Sequence, residues 1–206
     1  MTKVAIVNYG MGNLRSVANA CHTLSADPTV IDDPKKLRNF GKIIVPGVGA
    51  FGEAIGHLRD SGMADALQEV FQTDRHLLGI CLGMQLFCKD SKEYGNYQGL
   101  GWIDAEVRKF PDLAQFKIPH MGWDDVCSKQ EHPLLDGLAT ANDFYFIHSY
   151  FVHCFDTQDV LLTGEYGIPY CAAFVKNNII GVQFHPEKSQ QAGLKFLSNF
   201  LRWSPC

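Results

Sequence analysis

The chain has 206 residues, 46% apolar and 19% charged, enough to bury a substantial core and too rich in apolar residues for intrinsic disorder. With 18 Lys and Arg against 22 Asp and Glu, its net charge of −4 argues against a general attraction to nucleic acid or an anionic membrane. No apolar run approaches the roughly 18–20 residues of a membrane span, so no membrane partner is expected.

The first segment, Lys3 to Val7, is a near-continuous apolar run, as expected of a strand buried on both faces of a parallel sheet. The stretch before it has no basic region and no small-residue cleavage site, so a signal peptide is not expected and the location reads as cytoplasmic. Helical spacing follows at Leu14, Val17, Ala18, Cys21 and Leu24, broken by Asp33-Pro34. KIIVPG (Lys42 to Gly47) reads as a second buried strand ending in a glycine-rich turn. Phe51 to Phe71 reads as one or two helices interrupted near Gly62. His76 to Ile80 is the next strand, and Met84 to Cys88 opens another helix. This alternation predicts a parallel sheet with right-handed crossovers.

From Trp102 to Ile180 the pattern changes to short β-rich runs: WIDAEVRKF, FYFIHSYFVH, VLLTGEY and YCAAFV. An Asn177-Asn178 turn leads into IIGVQFH, and an amphipathic helix carrying Ala192, Phe196, Leu197, Phe200 and Leu201 closes the chain. The expected fold is α/β: an open, mostly parallel central sheet flanked by helices, with antiparallel strands added in the second half. No repeat, low-complexity segment or linker divides residues 1–206, which predicts a single domain.

Chemistry concentrates in three motifs. Gly79-Ile80-Cys81-Leu82-Gly83-Met84-Gln85 places a cysteine at a strand-to-helix turn with glycines two residues to either side, the thiol version of a nucleophile elbow. Such a turn exposes the sulfur at a helix N-terminus, whose dipole favours the thiolate; the alternative is a small buried cysteine in a tight turn. Cys81 needs a base, and His185 in Gly181-Val182-Gln183-Phe184-His185-Pro186-Glu187 is the candidate, with Glu187 placed to orient it. Pro46-Gly47-Val48-Gly49 follows another strand. Its backbone N–H groups at Val48 and Gly49, with that of Leu82, would form an oxyanion hole. Gly47, Gly49 and Gly52 also spell the G-x-G-x-x-G of a dinucleotide site, but the next strand lacks the terminal acidic residue that would hold a ribose. The seven cysteines are scattered without a C-x-x-C, and the eight histidines lack metal-ligand spacing, so neither a metal nor another cofactor is expected.

The elbow GICLGMQ, the PGVG turn and the terminal HPE resemble the class I (triad) glutamine amidotransferases, whose fold is flavodoxin-like. NYGMGNLRSV, PHMGWD (Pro119 to Asp124), FIHSY (Phe146 to Tyr150) and GVQFHPEKS narrow the resemblance to the glutaminase subunits of imidazole glycerol phosphate synthases, over residues 4 to about 201. Asp124 stands where that pattern has Asn, and Ile147 where it has Val. The resemblance implies hydrolysis of L-glutamine to glutamate and ammonia through a thioester on Cys81, with His185 and Glu187 completing a catalytic triad. It implies substrate contacts from Gly47, Gln85 and Glu93 and from the His148-Ser149-Tyr150 segment; read alone, Glu93 is equally a solvated charge. It also implies a heterodimer with a (β/α)8 synthase (cyclase) subunit, which uses the ammonia to make imidazole glycerol phosphate and aminoimidazole carboxamide ribotide in histidine biosynthesis. Met121 and Trp123 would join that docking face, unless Trp123 is core. The alternatives are the glutaminase subunit of another amidotransferase, thiol chemistry on another substrate, and a catalytically silent interaction subunit.

Overall fold

The computed structural model describes residues 1–112, 114–139 and 141–204. In chain order the elements are β1 (Lys3–Val7), α1 (Leu14–Thr23), β2 (Asp27–Ile31), β3 (Lys42–Gly47), α2 (Phe51–Asp60), α3 (Met63–Phe71), β4 (His76–Cys81) and α4 (Leu82–Leu86). There follow β5 (Cys88–Ser91), β6 (Tyr97–Gln98), β7 (Ile103–Lys109), β8 (His120–Ser128), β9 (Ala141–His148), β10 (Tyr150–Cys154), β11 (Val160–Glu165), β12 (Pro169–Lys176), β13 (Ile179–Val182) and α5 (Gln190–Arg202).

The strands run β2-β1-β3-β4-β13-β12-β10-β7-β5-β6 in one sheet, with β11 bridging β12 to the β8–β9 pair. From β2 to β13 every pairing is parallel. Beyond β13 the pairings are antiparallel, except that β5 runs parallel to β7. The parallel strands β1, β3, β4 and β13 are buried on both faces, which explains their near-continuous apolar sequences. Along β1, Ala5 and Val7 face one core with Phe51, Ile55 and Leu67 from α2 and α3. Val4 and Ile6 face the other, with Val17 of α1 and Phe196, Leu197 and Phe200 of α5. No described helix is long and apolar enough to cross a membrane.

Four expectations need correction. Asp27–Ile31 is a strand where none was expected: it lies at the sheet edge with only Ile31 buried, so it lacks the alternation that marks a strand in sequence. The helix opened by Met84 ends at Leu86, and Cys88 begins β5; this short apolar run is buried whichever structure it adopts, so periodicity does not distinguish them. His120–Ser128 forms a nine-residue strand that is mostly exposed. The FYFIHSYFVH run is two strands with different neighbours, divided at Ser149: β9 pairs with β8, while β10 pairs with β7 and β12.

Candidate active site

Three parallel strands deliver the expected site residues to one edge of the sheet, at their carboxyl ends. Gly47 ends β3 and lies opposite Cys81, the last residue of β4, while His185 follows β13. Cys81 takes φ 55° and ψ −111°, a strained conformation for a side-chain-bearing residue that turns the chain from β4 directly into α4. The turn closes because position 83 has no side chain: a Cβ there would collide with the Val45 carbonyl oxygen of β3.

His185 is 2% exposed, and its Nδ1 lies 2.8 Å from Glu187 Oε1. The backbone holds this pair from both sides. His185 N–H donates to the Tyr145 carbonyl (2.9 Å), and the Ser189 hydroxyl donates to the His185 carbonyl (2.6 Å). Among the described residues Nε2 of His185 is buried without a hydrogen-bond partner, yet it lies close enough to Cys81 for the sulfur to act on its proton affinity. Burial alone would push the imidazole down; the Cys81 sulfur beside Nε2 and the Glu187 carboxylate on Nδ1 reverse this and hold it up at about 10.

These groups open into a cavity of about 380 Å³ lined by Val48, Gly49, Cys81, Leu82, Gln85, Glu93, Pro119, Ile147, His148, Ser149, Tyr150, His185 and Lys188. Of the residues expected from the sequence, Gly47 and Glu187 lie behind this wall, Gly47 beside the elbow and Glu187 against His185; the others line it. At the turn from Pro46 to Gly49, Gly49 has φ +102°, while Val48 stays out of the left-handed region. Glu93 is 9% exposed, so it is not a solvated loop charge. Its Oε2 accepts from the Phe51 N–H at 2.6 Å, supplying α2 with the cap that Ala50 cannot. The glycine-rich turn thus leads to a helix N-terminus already occupied by a carboxylate, where a dinucleotide would need its phosphate. Burial pushes Glu93 up and the Phe51 N–H holds it back.

Gln85 Nε2 donates to the Tyr150 carbonyl (3.1 Å) and to Gln183 Oε1 (2.9 Å), so both its hydrogens are used and only its own Oε1 is left for a ligand. Gln183 has no role in the sequence reading. It is fully buried, its Nε2 lies 3.6 Å from Cys81 Sγ, and it links Cys81 to Gln85. The signal for it is a glutamine just past an apolar strand and two residues before His185, since a buried amide requires partners. Trp123 is 47% exposed and Met121 62%, so neither is core. Six cysteines are free thiols, and Cys206 lies outside the described residues. No group of three His, Cys, Asp or Glu among the described residues is arranged to hold a metal.

A family model described as glutamine amidotransferase class-I matches residues 5–203. The protein named imidazole glycerol phosphate synthase subunit HisH of Sulfurimonas denitrificans is 45% identical, covering 97% of this chain and 98% of its own. The protein of the same name from Nitrosomonas europaea is 42% identical over the full length of both chains. Among solved structures, PurLQS from Thermotoga maritima superposes with a TM-score of 0.77 at 18% identity over 97% of each chain. A crystal structure described as a glutamine amidotransferase gives 0.74 at 20% identity, over 95% of this chain and 98% of that one. At such identities the likeness concerns the fold alone.

Proposed function

We infer, for a chain that belongs to the class I glutamine amidotransferase family, that it is the glutaminase subunit of an imidazole glycerol phosphate synthase. It hydrolyses glutamine to glutamate and ammonia for a partner synthase subunit in histidine biosynthesis. The relatives of that name, alike over their full length, support this reading. Its mechanism rests on one observation: a strained cysteine at a strand-to-helix turn shares a pocket with a buried His–Glu pair 2.8 Å apart.

Cys81 attacks the side-chain amide carbon of glutamine as a thiolate, its proton residing on His185. The developing oxyanion is held by the N–H of Leu82 and by donors of the turn at Val48 and Gly49. Collapse of the tetrahedral intermediate breaks the C–N bond. His185 gives its proton to the departing ammonia, and Glu187 keeps the ring oriented and stabilises its charged form. Water, deprotonated by His185, then hydrolyses the thioester and releases glutamate. Glu93 is the counter-charge for the substrate's α-ammonium, Gln85 Oε1 a second acceptor for it, and the backbone at His148 to Tyr150 the wall along which glutamine lies, with Gly47 supporting the turn from behind.

The partner is a (β/α)8 cyclase in a heterodimer. Val48, Met121, Trp123 and Ile147 leave an exposed apolar patch about the pocket, and Met121 lies directly across the ladder from Ile147. These groups suit a docking surface set over the site, so that ammonia leaves into the partner rather than into water. The 206 residues act as one glutaminase domain in the cytoplasm. The test is labelling with a diazo-ketone analogue of glutamine, followed by peptide mass mapping. The label is expected on the peptide carrying Cys81; attachment at Cys88 or Cys171 would overturn the assignment.

A further inference from the structure

From His148 in the pocket wall, a chain of polar contacts that the chemistry above does not use runs back through His120 to Asp124. His148 Nδ1 lies 2.9 Å from the Tyr150 carbonyl oxygen, and His120 Nδ1 lies 3.1 Å from His148 Nε2. His120 Nε2 lies 3.1 Å from Asp124 Oδ2. Both rings are buried. Each contact needs one hydrogen between its two heavy atoms. A carbonyl only accepts, so His148 carries the first hydrogen on Nδ1. Burial pushes His148 down to about 3, which excludes a second proton on its ring and makes Nε2 an acceptor. His120 Nδ1 therefore carries the second hydrogen. Two neutral imidazoles bring two hydrogens to three contacts, so the third, between His120 Nε2 and Asp124, is an additional proton.

We propose that Asp124, His120 and His148 form a one-proton relay that holds the pocket wall from Ile147 to Tyr150, with His120 and Asp124 as positioning residues for glutamine hydrolysis. The proposal deepens the function inferred above and rests on it for the reaction measured. The Tyr150 carbonyl accepts from both Gln85 and His148, and the Ile147 carbonyl lies 4.0 Å from Cys81 Sγ. A His148 with its hydrogen moved to Nε2 would turn a lone pair on the Tyr150 carbonyl and loosen that wall. A neutral His148 also places no second positive charge against His185, which faces it.

The relay is surrounded on its remaining sides by rings. Tyr166 stacks on His120 at 4.0 Å, Phe146 stacks on it at 5.1 Å, and Phe110 and Tyr170 lie 5.3 and 5.4 Å from His148. The Tyr166 hydroxyl donates to the Lys117 carbonyl (2.8 Å). Asp124 itself is part-exposed and opens the relay to water. Burial pushes His120 down, and the Asp124 carboxylate partly restores it. Once the additional proton leaves, a lone pair on Nε2 faces a carboxylate, and that contact opens. An Asp124→Asn side chain brings its own N–H to Nε2, so all three contacts close between neutral groups with no additional proton.

The experiment uses the full chain labelled with 15N-histidine, as natural protein and as Asp124→Asn, with long-range 1H–15N spectra across a pH series. Glutamine KM and kcat are followed over the same series in the assembled complex. His148 is expected to carry its hydrogen on Nδ1 throughout. His120 should lose a ring proton as pH rises in the natural chain and stay singly protonated in Asp124→Asn. Glutamine KM should rise several-fold as that proton leaves and stay level in Asp124→Asn, the effect lying in KM more than in kcat. If Asp124→Asn does not fold, Asp124→Ala serves instead, its His120 titrating at lower pH than in the natural chain. His148 protonated at Nε2, or a His120 titration unchanged by the substitution, would overturn the relay. The expected spectra with a KM level in both proteins would overturn the positioning role. The expected spectra with no glutamine hydrolysis by the complex would overturn the function and leave the relay standing.

Discussion

At their N-terminal ends β3 and β4 place Lys42 and His76 side by side; at their carboxyl ends the same strands place Gly47 beside Cys81. Both ends bury bases, and they treat protons in opposite ways. Lys42 Nζ donates to the Trp203 carbonyl and lies 5.2 and 5.8 Å from the Phe200 and Trp203 rings, while His76 Nε2 is buried without a partner among the described residues. Burial pushes Lys42 down to about 8 and pushes His76 down as well. At the other end burial acts on His185 in the same direction, but the Cys81 sulfur and the Glu187 carboxylate hold that ring up at about 10. Desolvation alone lowers the pH up to which a buried base keeps its proton; a facing carboxylate and sulfur raise it.

The largest expected effect comes from removing the sulfur. Cys81→Ala should lower glutamine hydrolysis by about 10⁶-fold, the scale seen when a nucleophile that works as part of a unit is lost. The assembled synthase should still use added ammonium, because the proposed function puts ring closure on the partner. A complex that assembled normally yet failed with ammonium would refute this division of labour. Next comes the carboxylate. Glu187→Gln keeps the shape of the pair but withdraws the charge that orients and protonates His185, so turnover should fall roughly 10²–10⁴-fold, and glutamine binding far less. A variant with unchanged turnover would reduce the site to a Cys–His pair and remove half of the contrast between the two ends.

The candidate site is more legible in the sequence than the fold around it. An elbow can be recognised because it needs glycine where backbones meet, and His185 and Glu187 are close in the chain as well as in space. β2 and β8 escape because exposed strands carry no apolar alternation, and the end of α4 escapes because a short run buried on every side has no periodicity. Gln183 sits inside a legible motif without showing its role, since its value lies in bridging Gln85 and Cys81, which are far from it in the chain. The Lys42–Trp203 contact joins residues 161 positions apart and has no local signature.

The smallest effect expected is at the opposite end of the strands. In the unfolded chain Lys42 keeps its proton up to its ordinary value of 10.5, whereas in the folded chain it keeps it only up to about 8. Between those values the unfolded state binds the extra proton, so stability should rise with pH across that window. The cost of burying the charge is present in full below about pH 8. Lys42→Met retains an apolar stem against Phe200 and Trp203 and removes that cost, but it also loses the hydrogen bond to the Trp203 carbonyl. These changes oppose each other, so the net shift at neutral pH should stay within about 1 kcal/mol, as when other buried charges are replaced by apolar side chains of similar size. The rise in stability between pH 8 and 10.5 should disappear. Urea midpoints of both proteins over a pH series measure this, alongside glutamine hydrolysis, which the substitution should leave unchanged. If the variant kept the parent's slope, Lys42 would not be the group shedding its proton there, and the two ends of the sheet would no longer differ for the reason given.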